Sequence, residues 1–188
     1  MDALLTTFIA AALAEIGDKT QLLVIALAAR YGRPAPVLAG VAVAALINCA
    51  IAAVGGTLIH DFITLRAISL LVALALVFTG VSGLIRSGQR EVGANWKEDA
   101  FATTVACFFV LELGDKTQFL TAALAARYDS LVLAGLGATL GVVAANAPGA
   151  LLGDRLTAFV SLRLVRMTIA ILFLIAGFIV GVDALRLV

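Results

Sequence analysis

Glu15-Ile16-Gly17-Asp18-Lys19-Thr20-Gln21 lies inside an apolar run of this 188-residue chain, and it returns as Glu112-Leu113-Gly114-Asp115-Lys116-Thr117-Gln118. Each copy runs on to Leu-Ala-Ala-Arg-Tyr, at Leu27–Tyr31 and Leu124–Tyr128. Every block sets two carboxylates and an ammonium in sequence otherwise suited to lipid. A charge at the centre of a spanning helix costs about 2.5–3.5 kcal/mol on insertion scales. Groups this costly must be paired, protonated or bound to something.

Composition sets the solvent. The chain is 63% apolar and 13% charged, with a mean hydropathy of +1.13. Soluble domains lie nearer half apolar and a quarter charged. The lipid bilayer is therefore the expected partner, and a net charge of +1 argues against nucleic acid. Cys49 and Cys107 both fall in apolar segments and read as buried thiols, not a disulfide. His60, beside Asp61, reads as an interfacial residue. With no cofactor motif and no nucleophile–base pair, the chain is not expected to be an enzyme or to hold a prosthetic group. Residues 4–29 follow only Asp2 and carry three charges, so they read as a permanent span, not a cleaved signal.

The predicted fold class is an all-α polytopic membrane protein with six transmembrane helices arranged as two inverted three-helix repeats. The spans are Leu4–Ala29, Val37–Ile59, Ile68–Ile85, Phe101–Ala126, Leu131–Leu152 and Met167–Leu185, each near the length that crosses the hydrocarbon core. The offset of 97 residues from Glu15 to Glu112 also aligns Gly40 with Gly137, Gly56 with Gly153, Ala73 with Ala170 and Gly80 with Gly177. Residues 1–86 make the first repeat, 87–99 a linker and 100–188 the second, within one membrane domain. Three helices per repeat make the second enter from the opposite side, as in many secondary transporters. Arg30, Arg33, Arg86, Arg90, Lys97, Arg155, Arg163 and Arg166 collect on one side, against Arg66, Arg127 and Arg186 on the other. By the positive-inside rule both termini face outward and the linker, with Trp96 as an interfacial anchor, faces the cytoplasm.

As helical positions, Glu15, Asp18 and Lys19 share one face, as do Glu112, Asp115 and Lys116, so each lysine can partly neutralise its own glutamate. Gly17 and Gly114 permit close helix approach or a local break exposing carbonyls. Thr20, Gln21, Thr117 and Gln118 add oxygens, and Asn48 and Asn146 are further candidates, Asn146 lying just before Pro148 and Gly149. Brought together, four carboxylates and two lysines leave −2, which one divalent cation or two protons would balance. Burial favours a neutral carboxyl group, while a nearby metal or lysine favours the charged one. Glu15, Asp18, Glu112 and Asp115 are thus candidates both for binding metal and for coupling it to protons, with alternating access at the membrane midplane. An all-oxygen set suits hard ions such as Mn²⁺, Ca²⁺ and Mg²⁺. Two protons per ion would make the cycle electroneutral. Thr79, Ser82 and Thr168 read as helix-packing residues.

The two E-x-G-D-K-T blocks at 15–20 and 112–117, in two three-helix halves, resemble the cation/proton exchangers related to transmembrane protein 165. Bacterial manganese exporters of the MneA type belong to that family, itself placed in the lysine-exporter superfamily. The resemblance covers essentially the whole chain. It implies export of Mn²⁺, with Ca²⁺ as a second ion, in exchange for protons, in the compact bacterial form and hence the inner membrane. The family's acidic residues map onto Glu15, Asp18, Glu112 and Asp115 as cation ligands. Lys19, Thr20, Lys116 and Thr117 match the motif as well, while Gln21 and Gln118 lie just outside its core.

Other functions stay open at this level. They are an exporter of an organic cation or amino acid, a cation channel built from a carboxylate ring, and a membrane scaffold stapled by salt bridges. Excess negative charge in each block argues against a purely structural motif. Small residues on many helices suit packing within one chain or between two, so a homodimer is a further candidate state.

Overall fold

The computed structural model describes residues 1–85, 99–153 and 161–185. These residues form eight α-helices: α1 (Asp2–Glu15), α2 (Lys19–Tyr31), α3 (Pro34–His60), α4 (Leu65–Leu84), α5 (Ala100–Glu112), α6 (Lys116–Tyr128), α7 (Leu131–Leu152) and α8 (Leu162–Leu185). No strand occurs among them. Trp96, Arg86, Arg90, Lys97, Arg155 and Arg186 lie outside the described residues, as does the predicted linker apart from Asp99. Local chemistry sets the helix ends. Pro34 opens α3, where its missing N–H is no loss, and the Thr64 hydroxyl caps α4 by accepting from the Ala67 N–H. Gly32 ends α2 in the left-handed region at φ +61°. Asp129, its counterpart at the repeat offset, ends α6 the same way at φ +46°.

α3, α4, α7 and α8 are long and apolar enough to cross a membrane, and α5 is a shorter apolar helix. The expected continuous helices over Leu4–Ala29 and Phe101–Ala126 are each broken in two. α1 stops at Glu15, Ile16 turns extended (ψ 122°) and Gly17 takes φ +76°, before Asp18 starts α2. Leu113 (ψ 120°), Gly114 (φ +74°) and Asp115 repeat the break between α5 and α6. Glycine reaches such a φ without a Cβ clash. Of the two roles open to these glycines, the break is therefore one that the fold uses at both. Each half-helix, 14 residues in α1 and 13 in α2, is about 20 Å long.

The molecule is turned inside out relative to a soluble protein. Phe178 is 71% exposed and Ile9, Ile47, Leu140 and Ile179 also face outward, while Glu15, Asp18, Glu112 and Lys116 are buried. The interior is alanine-rich, with Ala44, Ala45, Ala53, Ala123, Ala125 and Ala138 fully covered. Small residues let backbones approach where no hydrophobic effect drives helices together. The approaches are reciprocal between halves. A Cβ built on Gly40 of α3 would lie 2.7 Å from Thr104 Cβ and 2.9 Å from the Phe101 carbonyl of α5. Gly137 of α7 meets Thr7 and Leu4 of α1 in the same way, each 97 positions earlier. Gly80 and Gly177 likewise close the α4–α8 seam on the carbonyls of Ala170 (2.8 Å) and Ala73 (3.0 Å). One pair departs from this: Gly56 abuts Ala122, whereas Gly153 ends α7 at φ +54°, where a Cβ would meet nothing within 4 Å among the described residues.

Candidate functional site

The two breaks bring the motifs together in the interior. Glu15 and Glu112 are the last residues of α1 and α5, and Asp18 and Asp115 are the N-caps of α2 and α6. Glu15, Glu112 and Asp115 each offer a carboxylate oxygen within 4.8 Å of the others. Both glutamates thus stand at the negative ends of half-helix dipoles, an arrangement that favours a cation. Asp18 is not part of this group of three.

The lysines do not serve their own glutamates, as helical spacing would have them do. With the helix broken, each crosses to the opposite motif. Lys116 Nζ pairs with Asp18 Oδ2 at 2.5 Å, both side chains 5% exposed, and Lys19 Nζ pairs with Asp115 Oδ1 at 3.0 Å with exposures of 32% and 17%. A cation in the first turn of a helix opposes its dipole, so each lysine requires the facing aspartate. These pairs take up two of the four carboxylates. With all four carboxylates ionised, the net −2 of the motifs would fall on Glu15 and Glu112.

Those two glutamates are not equivalent. Thr20 Oγ1 donates to Glu15 Oε2 and Thr117 Oγ1 donates to Glu15 Oε1, both at 2.5 Å. Glu112 is 2% exposed, and neither of its oxygens has a hydrogen-bond partner among the described residues. One carboxylate holds both motif threonines, and its repeat mate holds none.

The glutamine oxygens, expected to face a ligand, are spent on the breaks themselves. Gln21 Oε1 accepts from the Gly17 N–H (2.9 Å) and Gln118 Oε1 from the Gly114 N–H (2.7 Å). Their amide nitrogens reach the opposite half: Gln21 Nε2 donates to the Ala145 carbonyl (2.7 Å) and Gln118 Nε2 to the Asn48 carbonyl (3.3 Å). Asn48 and Ala145 are true repeat mates, so the counterpart of Asn146 is Cys49. Asn48 Nδ2 donates to the Phe109 carbonyl, which makes it a brace between α3 and α5. α7 runs unbroken through Pro148, and Asn146 Nδ2 donates to Val142 O within it, leaving Asn146 Oδ1 buried without a partner among the described residues.

Two ties went unnoticed in the sequence. Tyr31, on α2, bonds to Thr103 of α5 (3.1 Å) and Tyr128, on α6, to Thr6 of α1 (3.0 Å). The threonines obey the same offset of 97 as the tyrosines, so the repeat held the signal. His60 Nδ1 lies 2.8 Å from the Ala126 carbonyl, which joins α3 to α6.

A cleft of about 570 Å³ between α3, α4 and α6 reaches Gly114, Asp115 and Gln118. It is lined by Ile51, Gly55 and Ile59 of α3, Leu74 and Phe78 of α4, and Phe119 of α6. A Cβ on Gly114 would meet nothing within 4 Å, whereas one on Gly17 would run into α8. The space beside the second break is open and that beside the first is covered by α8, while Glu15 and Glu112 themselves stay buried.

The model of the family described as "Divalent cation/proton antiporter GDT1" matches residues 3–91 and 100–187, one stretch in each half. The chain belongs to the divalent cation/proton antiporter family. A relative from Vibrio cholerae serotype O1, named "Putative manganese exporter", is 36% identical over 181 residues, covering 93% of this chain and 88% of its own. No solved structure matches the chain. In this antiporter the glutamine braces should matter unequally. Gln21→Leu leaves the buried Gly17 N–H unpaired and removes the tie to the Ala145 carbonyl, a loss of about 1–3 kcal/mol. Gln118→Leu should cost less, because the Gly114 N–H borders the open cleft. Unfolding midpoints of the two variants in detergent check the order.

Proposed function

We propose that this chain exports Mn²⁺, with Ca²⁺ as a second cargo, in exchange for protons across the bacterial inner membrane. The observation that carries the reading is the triad of Glu15, Glu112 and Asp115 oxygens within 4.8 Å, with both lysines already committed to aspartates. The two remaining negative charges suit one divalent ion or two protons, so metal and protons compete for the same carboxylates. Oxygen ligands alone suit a hard cation, and the name of the Vibrio relative favours manganese. Asn146 Oδ1, buried and unpartnered, is a further oxygen for the ion.

In this reading α1 with α2, and α5 with α6, each make one crossing, so six crossings form two inverted three-span repeats. The reciprocal glycine approaches support that arrangement. The Lys and Arg bias places both termini outside and the 87–99 linker in the cytoplasm. The cleft at Asp115 then opens outward. In the opposite access state Asp18 replaces Asp115 beside the two glutamates.

Purified protein in sealed liposomes holding a pH-sensitive dye tests the proposal. An imposed Mn²⁺ gradient is expected to drive proton movement the other way with no net current. Ca²⁺ should do so more weakly, and Mg²⁺ least. Metal flux without proton movement, or a current that follows it, would overturn the exchange.

A further inference from the structure

The two helix breaks are built alike and closed differently. A Cβ on Gly17 would lie 2.8 Å from the Leu162 carbonyl oxygen and 3.0 Å from Arg166 Cβ, so the first turns of α8 lie directly on the α1–α2 break. At Gly114 the corresponding space is the open cleft. Arg166 also lines a void of about 10 Å³ together with Lys116, Thr79, Gly83 and Phe173. That is room for roughly one water.

Arg166 Nε is buried there with no hydrogen-bond partner among the described residues. The Lys116 ammonium beside it is neutralised by Asp18, so among the described residues that line the void the guanidinium supplies the net charge. A guanidinium does not lose its proton in a protein. The repeat mate of Arg166 is Ser69, an uncharged residue whose hydroxyl donates to the Leu65 carbonyl. The positive charge at Arg166 therefore has no counterpart at the matching position of the other half.

We propose that Arg166 is the charge barrier that denies cations the route past the α1–α2 break while the Asp115 side is open. The inference rests on the exchange function proposed above and assigns this residue the closed end of its pathway. That end is where α7 and α8 are joined, cytoplasmic in the proposed orientation. The barrier acts by sign as well as by bulk. It repels a metal ion that would otherwise leak past Asp18, and it withdraws with α8 when that side opens.

The test does not depend on transport. Thr79→Cys, with Cys49 and Cys107 replaced by Ala, places a thiol in the void. Its modification is timed with a cationic methanethiosulfonate and with a small neutral one. Arg166→Gln is expected to speed the cationic reagent about tenfold more than the neutral one, the scale on which local charge alters encounter rates. Arg166→Lys should retain the protection. If Arg166→Gln does not fold, Arg166→Met carries the same comparison. Equal acceleration of both reagents would reduce Arg166 to a packing residue, and no acceleration would remove it from the pathway; either overturns the barrier. A charge-selective barrier in a chain whose natural form exchanges no Mn²⁺ would sink the exchange reading and leave Arg166 guarding another cation's route.

Discussion

Glu112→Gln is expected to reduce metal-driven proton movement in liposomes to the level of protein-free vesicles while leaving the fold at least as stable as the natural chain. Glu112 is buried with both oxygens unpartnered, so its charge contributes nothing to holding the helices. An isosteric amide removes that charge and breaks no hydrogen bond. Glu15→Gln should abolish exchange equally and in addition lower stability. Glu15 accepts from Thr20 and Thr117 at once, and an amide nitrogen cannot replace the second acceptor. One unsatisfied buried hydroxyl costs about 1–3 kcal/mol. The pair of measurements, exchange and unfolding midpoint, separates a cargo-bearing carboxylate from one that also braces the site. Retained exchange in Glu112→Gln would remove it from the cation site.

Lys116→Met should be the most damaging single change to stability, at about 3–5 kcal/mol, because it strands the Asp18 carboxylate in the interior. Both partners are only 5% exposed, so water cannot replace the ammonium. Lys19→Met is expected to cost less than about 1 kcal/mol, in the range of exposed pairs, since the Lys19 and Asp115 side chains are 32% and 17% exposed. The double variant Asp18→Asn/Lys116→Met should recover much of the loss, as removing both members of a buried pair leaves no orphaned charge. Unfolding midpoints in detergent at one ionic strength decide it. Equal losses for the two lysines would contradict the asymmetry of the site.

Much of this site is legible in the chain because charge in an apolar setting has few mimics. The duplicated blocks, their acidic residues and the glycines that seam the halves all follow from one offset. The break in each motif helix is less visible, since Leu4–Ala29 is apolar on both sides of Gly17 and a glycine there serves close approach as well. Once the helix breaks, spacing along it no longer says which groups face one another. The lysines' exchange of partners and the glutamines' return to the glycine N–H groups are therefore three-dimensional facts. Arg166 reads in the sequence only as one positive residue among eight on its side. The unequal sharing of threonines between Glu15 and Glu112 has no trace there at all, because both blocks carry the same Thr.

The reciprocal glycine seams have an evolutionary consequence. They are the contacts that two identical copies of one half would make about a dyad, and in such a pair every substitution would appear at both ends. Joined in a single polypeptide, the halves are free to diverge. Arginine stands at 166 opposite serine at 69, and aspartate at 129 opposite glycine at 32. Covalent fusion thus lets the face that collects an ion and the face that discharges it be tuned apart, each to the solution it meets.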